Sequence, residues 1–439
     1  MSTPAPPAPP ATPAPLSPFA EPTKLVTGGW IAAFAAAWLG VWMAQLAPFQ
    51  VLLPLQVEEQ IGAGVDASDP NAWTSSVLSF GIISGIAGAC SLLTFPLTGA
   101  FSDRTTSRFG RRRPWIAAGA VVFAAALIAL GLQTTMVGIG IAWALAITGF
   151  SMLSAGLTAL ISDQVPVRQR GFVSGFLSAP QALGTVLGVI LVTLLITGQV
   201  LGYAALALLL LVLVLPILFA AKEVRLTQAQ RPEFTFGVIV RGLWVSPRRY
   251  PDYAWTLLSR VLINIGNALG VGLLLYFLEH GLNPTLSPAE AEDSLLQLIL
   301  VYTVFVVVAA ILLGRISDRI QRRKIFVIIA AVVQAAAAFL LAFVPDLSVA
   351  YIAAALLGAG YGAFLSVDQA LATQVLPDPA DRGKDLGIMN VASNVPQAVG
   401  PLLGAFVVVA LGGFQGLFLL SAAVTALGAV SILLVEKVR

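Results

Sequence analysis

The sequence predicts an all-α membrane protein with twelve transmembrane helices in two pseudo-symmetric six-helix bundles. Three observations predict this fold: an apolar composition, a charge difference that alternates from loop to loop, and motifs repeated between the two halves. Of the 439 residues, 58% are hydrophobic and 10% are charged, whereas a soluble domain carries about 25% charged residues. A soluble enzyme, a nucleic-acid-binding protein and a disordered chain are therefore not expected.

The apolar segments give the domain organisation. A helix needs about 20 mostly apolar residues to cross a bilayer. A Pro/Ala-rich stretch at 1–22 lacks signal-peptide features and is predicted to be a disordered tail. We then expect an N-terminal bundle at 23–221, a cytoplasmic linker at 222–252 and a C-terminal bundle at 253–439. The twelve predicted spans are 28–54, 75–101, 114–133, 136–162, 172–197, 199–221, 254–279, 294–316, 324–344, 347–373, 385–410 and 413–435.

Loop charges alternate in sign along the chain. Lys and Arg occupy the termini and every loop that follows an even-numbered span, the linker included. Loops after odd-numbered spans hold only acids, namely Glu58, Glu59, Asp66, Asp69, Glu279, Glu290, Glu292, Asp293 and Asp346. By the positive-inside rule, both termini are cytoplasmic. One missed helix would invert the alternation, so the pattern also supports a count of twelve.

Three motifs occur twice, at nearly constant spacing. They are GAFSDR, which recurs as GRISDR, then RGxxxG and PQAxGxxxG. The copies begin at residues 99 and 314, 170 and 382, and 180 and 396. Each half contains six spans and starts from the cytoplasm, so the halves are parallel repeats related by an axis along the membrane normal. The glycines of the third motif predict close helix contacts.

The motif GxxxDR with a following basic run, present between spans 2 and 3 and again between 8 and 9, resembles the hallmark loop of the major facilitator superfamily. The loop SDRTTSRFGRRRPW at 102–115 is similar to that of the sucrose transporters in the glycoside–cation symporter branch. The resemblance implies a cytoplasmic gate, in which Asp103 docks on the N-terminus of span 11 and Asp318 on that of span 5; the alternative is that these charges only fix the topology. The predicted gate residues are Gly99, Asp103, Arg104, Arg108, Gly110, Arg111, Arg112, Gly314, Asp318, Arg319 and Arg323.

Ionisable residues inside a membrane are expensive and are functional candidates by default. Asp368, about 13 Å inside span 10, is a candidate for proton coupling or substrate binding; a structural acid is the alternative. Asp163, at the end of span 4, is a second coupling candidate, although an interfacial network is favoured for it. For Arg260 in span 7 we favour a side chain that reaches the cytoplasm. Its alternatives are pairing with Asp368 or Asp163 and binding substrate.

Amide and indole side chains supply the chemistry that a sugar needs, and the resemblance implies that spans 1, 4, 7 and 10 line the central cavity. The substrate-cavity candidates are Trp42, Gln45, Asn264, Asn267, Arg260, Asn390 and Asn394. Hydrogen bonds between helices are the alternative role for the polar side chains among them.

No catalytic or nucleotide-binding motif is present, so we expect no enzyme activity and no cofactor. The lone histidine, His280, and the lone cysteine, Cys90, predict no metal site of the common types. The predicted function is a proton-coupled saccharide or glycoside symporter, active as a monomer in the plasma membrane. Alternatives are a proton-coupled exporter of drugs or metabolites, a facilitator without ion coupling, and a non-transporting sensor or scaffold. Arginine outnumbers lysine 19 to 5, which suggests a bacterial chain.

Overall fold

The computed structural model describes residues 22–62, 72–196, 198–221, 223, 226–228, 245–320, 322–375 and 382–436. Nearly all of the predicted tail, most of the predicted linker, and the loop acids Asp66 and Asp69 lie outside these residues. The described parts contain helices and no β-strand.

Each of the twelve predicted spans is a helix. Their bounds are α1 Gly28–Gly62, α2 Ala72–Ser102, α3 Arg113–Gly131, α4 Met136–Gln164, α5 Val167–Ile190, α6 Gln199–Ala220, α7 Pro251–Gly272 with Leu274–His280, α8 Pro288–Ile320, α9 Arg323–Phe343, α10 Leu347–Gln374, α11 Arg382–Leu411 and α12 Phe414–Leu433. Nine of the described helices are long and apolar enough to cross a membrane, and the bent α7 makes ten. In α5 and α11 the described apolar stretches are Pro180–Leu195 and Val399–Leu411.

The helix contacts repeat between the two halves. In the N-terminal half α1 packs on α5 and α6, α3 on α4 and α6, and α2 on α4. The C-terminal half repeats these contacts: α7 packs on α11 and α12, α9 on α10 and α12, and α8 on α10. The two contacts between the halves, α2 with α11 and α5 with α8, are equivalent when the halves are exchanged. This packing confirms the two pseudo-symmetric six-helix bundles.

Several helices are longer than the predicted spans, and this corrects the assignment of the acidic loops. Glu58 and Glu59 lie on α1, which continues to Gly62 through a π-helical turn at Pro48–Leu52. Glu279 lies on α7, and Glu290, Glu292 and Asp293 lie on α8. These acids were predicted in loops because the apolar run ends before them, but a helix can extend beyond the hydrocarbon core into the headgroup region.

Span 7 is broken rather than continuous. The segments Pro251–Gly272 and Leu274–His280 meet at an angle of 45° at Leu273. Gly270 and Gly272 lie next to the break, and glycine is the poorest helix former after proline. The second segment, which we call α7b, directs His280 towards α1. The first segment is called α7a.

Glycines allow the predicted close contacts between helices. A Cβ at Gly184 of α5 would lie 3.0 Å from the Trp42 Cβ and 3.1 Å from the Leu39 carbonyl oxygen of α1. At Gly400 of α11 it would lie 2.6 Å from the Cβ of Ala268 on α7a. Both are matched positions of the repeated third motif, so the prediction that these glycines permit close packing is confirmed.

The contact between α3 and α4 gives a stability prediction. A Cβ at Gly149 would lie 2.5 Å from the backbone nitrogen of Phe123 and 2.7 Å from its Cα, so the helices must separate to accept Gly149→Ala. We expect a loss of about 1–3 kcal/mol. Gly140→Ala, on the same helix, meets only Ile83 Cγ1 at 3.6 Å and should gain up to about 1 kcal/mol from helix propensity. Melting temperatures in detergent compare the two, and equal values would contradict this packing.

Candidate substrate and coupling site

The two ends of the bundle differ in charge. We call the end at which α2 leads into α3, residues 103–112, the basic end. The opposite end, where α1 finishes and α7b carries Glu279, is called the acidic end. Each half contains six helices, an even number. Equivalent loops of the two halves therefore lie at the same end of the bundle.

A network of ion pairs lies at the basic end. The Arg111 Nη2 atom lies 2.6 Å from Asp163 Oδ1, and the Arg112 Nε atom donates to Asp163 Oδ2 at 2.8 Å. Arg112 also pairs with Asp103 and donates to the Ser102 hydroxyl. Burial lowers the pKa of the Arg112 guanidinium, but Asp163 and Asp103 hold it above its usual value. Asp163 is therefore part of an ion-pair network with Arg111 and Arg112, and its position at the membrane interface stays a prediction.

Glu223, just after α6, organises the start of α3. Its carboxylate accepts the backbone N–H groups of Arg111 at 2.6 Å, Arg112 at 2.7 Å and Arg113 at 3.0 Å. These are N-terminal helix donors that otherwise lack a partner. Gly110 has φ +104°, and a Cβ there would lie 2.7 Å from Glu223 Oε2. Burial raises the pKa of the Glu223 carboxyl above its usual value, although the three N–H donors oppose that rise.

Sequence reasoning missed Glu223, and it placed Asp103 differently. The signal for Glu223 in the sequence was an acid between Lys222 and Arg225 at the start of the linker. The structure gives Asp103 a partner in its own half, Arg112. Docking of Asp103 on α11 stays a prediction, and the side chain of Asp318 lies outside the described residues. A Cβ at Gly314 would lie 3.3 Å from the Ser366 Cβ, which places the second copy of the gate motif against α10.

A buried ion pair joins α7a to α10 in the C-terminal half. The Arg260 Nε atom donates to Asp368 Oδ2 at 2.6 Å, and a second guanidinium nitrogen contacts the same oxygen. Arg260 Nη1 donates to the Met389 carbonyl of α11 at 2.9 Å. Arg260 is 2% exposed and Asp368 is 6% exposed. The interpretation that the Arg260 side chain reaches the cytoplasm is wrong. Its guanidinium is buried and pairs with the Asp368 carboxylate on the neighbouring helix α10.

Amides and tyrosines extend this pair along α7a. Asn264 donates to the Arg260 carbonyl at 2.8 Å and accepts from the Tyr361 hydroxyl at 3.1 Å. One turn on, Asn267 donates to the Tyr302 hydroxyl at 3.2 Å. The Tyr302 and Tyr361 rings stack with centroids 6.5 Å apart. The structure therefore brings three predicted residues and Asp368 into one polar chain, and adds two tyrosines that the sequence analysis did not single out.

The matching surface of the N-terminal half is aromatic. Trp30, Phe34, Trp38 and Trp42 are spaced four residues apart on α1, and the Trp38 and Trp42 rings stack at 5.9 Å. Trp42 also lies 5.9 Å from the ring of Phe150 on α4. Spans 1 and 4, which the resemblance implies line the central cavity, thus meet through aromatic side chains.

Polar atoms without partners accompany these rings. Among the described residues, Gln45 Oε1, Gln50 Oε1, Trp38 Nε1 and Ser154 Oγ are buried and have no hydrogen-bond partner. A buried polar atom of this kind costs about 1–3 kcal/mol unless a ligand or water satisfies it. Amide and indole groups beside flat rings have the chemistry of a sugar-binding surface. The side chains of Asn390 and Asn394, on α11, lie outside the described residues.

Contacts between the two halves hold the acidic end together. The Tyr276 hydroxyl of α7b donates to the Pro54 carbonyl of α1 at 3.2 Å. His280 Nε2 lies 3.2 Å from Glu58 Oε1, and the Trp73 ring of α2 stacks on His280 with centroids 5.1 Å apart. By contrast, the ion pairs of the basic end described above lie within the N-terminal half.

Comparison with known proteins agrees with this architecture. The family model of the Major Facilitator Superfamily matches residues 31–289 and again residues 261–439. The chain belongs to this superfamily. Members of the superfamily are transporters, and the membrane-length helices of the described residues make this major facilitator protein an integral membrane protein.

A sucrose transport protein of Arabidopsis thaliana is 44% identical to this chain over 62 residues. The match covers 14% of this chain and 11% of that relative, so the chain spans only a small part of it. The similarity supports the resemblance to sucrose transporters seen in the sequence, and the substrate belongs to the proposal below.

Proposed function

We propose that this major facilitator protein is a proton-coupled symporter of a saccharide or glycoside, which works by alternating access in the cytoplasmic membrane of a bacterium. Both termini would face the cytoplasm, and the monomer would be the working unit. The single observation that carries the proposal is the buried Arg260–Asp368 pair, continued by Asn264 and Asn267 along α7a.

The ion pair suits proton coupling for an energetic reason. An isolated charge in a dry interior is expensive, so Arg260 and Asp368 keep each other ionised. A proton that binds Asp368 cancels the attraction, and Arg260 must then find another partner. Substrate hydroxyls are suitable acceptors for the released guanidinium. Proton and sugar would therefore stabilise the same rearranged state, and this shared preference is what couples their movement.

The contacts at the two ends suit alternating access. The acidic end, which the charge pattern assigns to the exterior, is joined across the halves by Tyr276 with Pro54 and by His280 with Glu58. With that orientation, this arrangement would correspond to a state closed towards the exterior. Docking of Asp103 on α11 would then hold the basic end shut in the opposite state.

The substrate proposal rests on the ring of Trp42 and on the amide of Gln45. Trp42 offers a flat surface for the C–H face of a sugar ring, and Gln45 offers an amide oxygen without a partner in the described residues. The partial similarity to a sucrose transport protein supports the same class.

Proteoliposomes that contain a pH-sensitive dye test the function. Sucrose, maltose, trehalose and simple hexoses are added outside in separate assays. We expect at least one sugar to drive proton influx, with liposomes lacking protein as the control. Proton efflux on adding drugs or metabolites, with no sugar response, would contradict the symporter and favour the exporter. Sugar entry without proton movement would contradict the coupling.

A further inference from the structure

Three side chains converge between the halves at the acidic end, outside the proposed transport site. Glu58 belongs to α1, and Glu279 and His280 belong to α7b. One ligand atom from each lies within 4.8 Å of the other two. His280 Nε2 is 3.2 Å from Glu58 Oε1 and 3.7 Å from Glu279 Oε2. Two neighbouring ligands of a tetrahedral zinc ion lie about 3.3 Å apart, given bond lengths near 2.0–2.1 Å.

A cation at this position would satisfy the charge of Glu279. The residue is 5% exposed, and neither of its carboxylate oxygens accepts a hydrogen bond from an N–H or hydroxyl group of the described residues; the groups that face it are the Glu58 carboxylate and the His280 ring. A buried carboxylate without a donor or cation is costly. Its Oε2 atom is directed at the imidazole of His280, which makes the centre of the cluster the natural position for a positive charge.

The ring of His280 is already oriented. Trp73 stacks on it with centroids 5.1 Å apart, and Glu58 contacts its Nε2 atom. A ligand held in position before binding loses less entropy when the metal binds. Other acids on the same end, including Glu292 and Asp293, attract cations to the entrance of the cluster.

We propose that Glu58, Glu279 and His280 form a binding site for a zinc-like divalent cation that fastens the two halves together at the acidic end. An imidazole with two carboxylates suits zinc, whereas calcium and magnesium require about six oxygen ligands. Because the ligands come from both halves, a bound ion opposes their separation. Zinc would therefore stabilise the state closed at this end and slow any cycle that must open it.

The test is zinc binding to purified full-length protein in detergent, after removal of any polyhistidine tag. Isothermal titration with Zn²⁺ should show one saturable site, and Zn²⁺ should raise the melting temperature by mass action. His280→Gln and Glu279→Gln should each weaken binding by at least about tenfold, as expected for loss of one of three ligands. Glu59→Gln removes a carboxylate next to Glu58 in the sequence but outside the cluster, and this variant should bind Zn²⁺ as wild type does.

His280→Cys distinguishes a ligand from a structural side chain. A thiolate retains zinc binding and prefers softer ions, so this variant should bind Zn²⁺ and gain affinity for Cd²⁺. Unaltered Zn²⁺ binding in both His280→Gln and Glu279→Gln would overturn the proposal, as would equal stabilisation by Mg²⁺ and Zn²⁺. These measurements do not require transport, so they stand whether or not the sugar assay succeeds.

Discussion

Asp368→Asn should abolish uphill sugar accumulation by proteoliposomes. The amide keeps the shape of the carboxyl and can still accept a hydrogen bond from Arg260, but it cannot take up and release a proton. Accumulation of a radiolabelled sugar, the one with the largest response in wild type, should fall to diffusion equilibrium under an imposed pH gradient. Exchange of labelled for unlabelled sugar at equal concentration requires no net proton movement, and it should persist.

Asp163→Asn is the matched control for that substitution. Asp163 is the other acid that the sequence offers for coupling, but it pairs with Arg111 and Arg112 at the basic end. We expect this variant to accumulate sugar with wild-type proton stoichiometry, even if its rate changes. Loss of coupling in Asp163→Asn with full accumulation in Asp368→Asn would transfer the coupling role to the basic end.

The sequence predicted the fold well because its signals are local. Apolar length, loop charge and repeated motifs each act over a short stretch, and all agree on twelve helices. The break in α7 and the length of α1 were not predicted, because hydropathy does not distinguish a glycine that packs from one at which a helix bends. Gly184 packs against Trp42 of α1, whereas Gly272 adjoins the 45° bend.

The individual residues of the candidate site could be predicted from the sequence, but the contacts between them could not. Asp368 and Arg260 were conspicuous as charges in apolar runs, yet they are 108 positions apart and their pairing depends on how α7a meets α10. Glu223 was missed because its role is visible only when the linker meets the start of α3. Glu279 was assigned to a loop because the apolar run ends near it, so its burial beside His280 could not be foreseen.

The Arg260–Asp368 pair should show a large, non-additive effect on stability. Arg260→Met leaves Asp368 as a buried charge without its partner, and this should cost about 3–5 kcal/mol. Asp368→Leu leaves the buried Arg260 guanidinium without its carboxylate, with the Met389 carbonyl still accepting from it, and should cost a similar amount. The double variant Arg260→Met/Asp368→Leu removes both charges, so its melting temperature in detergent should recover to near that of wild type.

This cycle separates the structural role of the pair from its role in transport. If the charges serve only to hold α7a against α10, the stable double variant should also recover sugar accumulation. If Asp368 carries the proton, the double variant should be as stable as wild type and still fail to accumulate sugar. Additive losses of stability would show that the two side chains do not interact as the structure indicates. We expect recovered stability without recovered accumulation. Well-packed apolar side chains can replace a buried ion pair without loss of stability, but they cannot bind the proton that coupling requires.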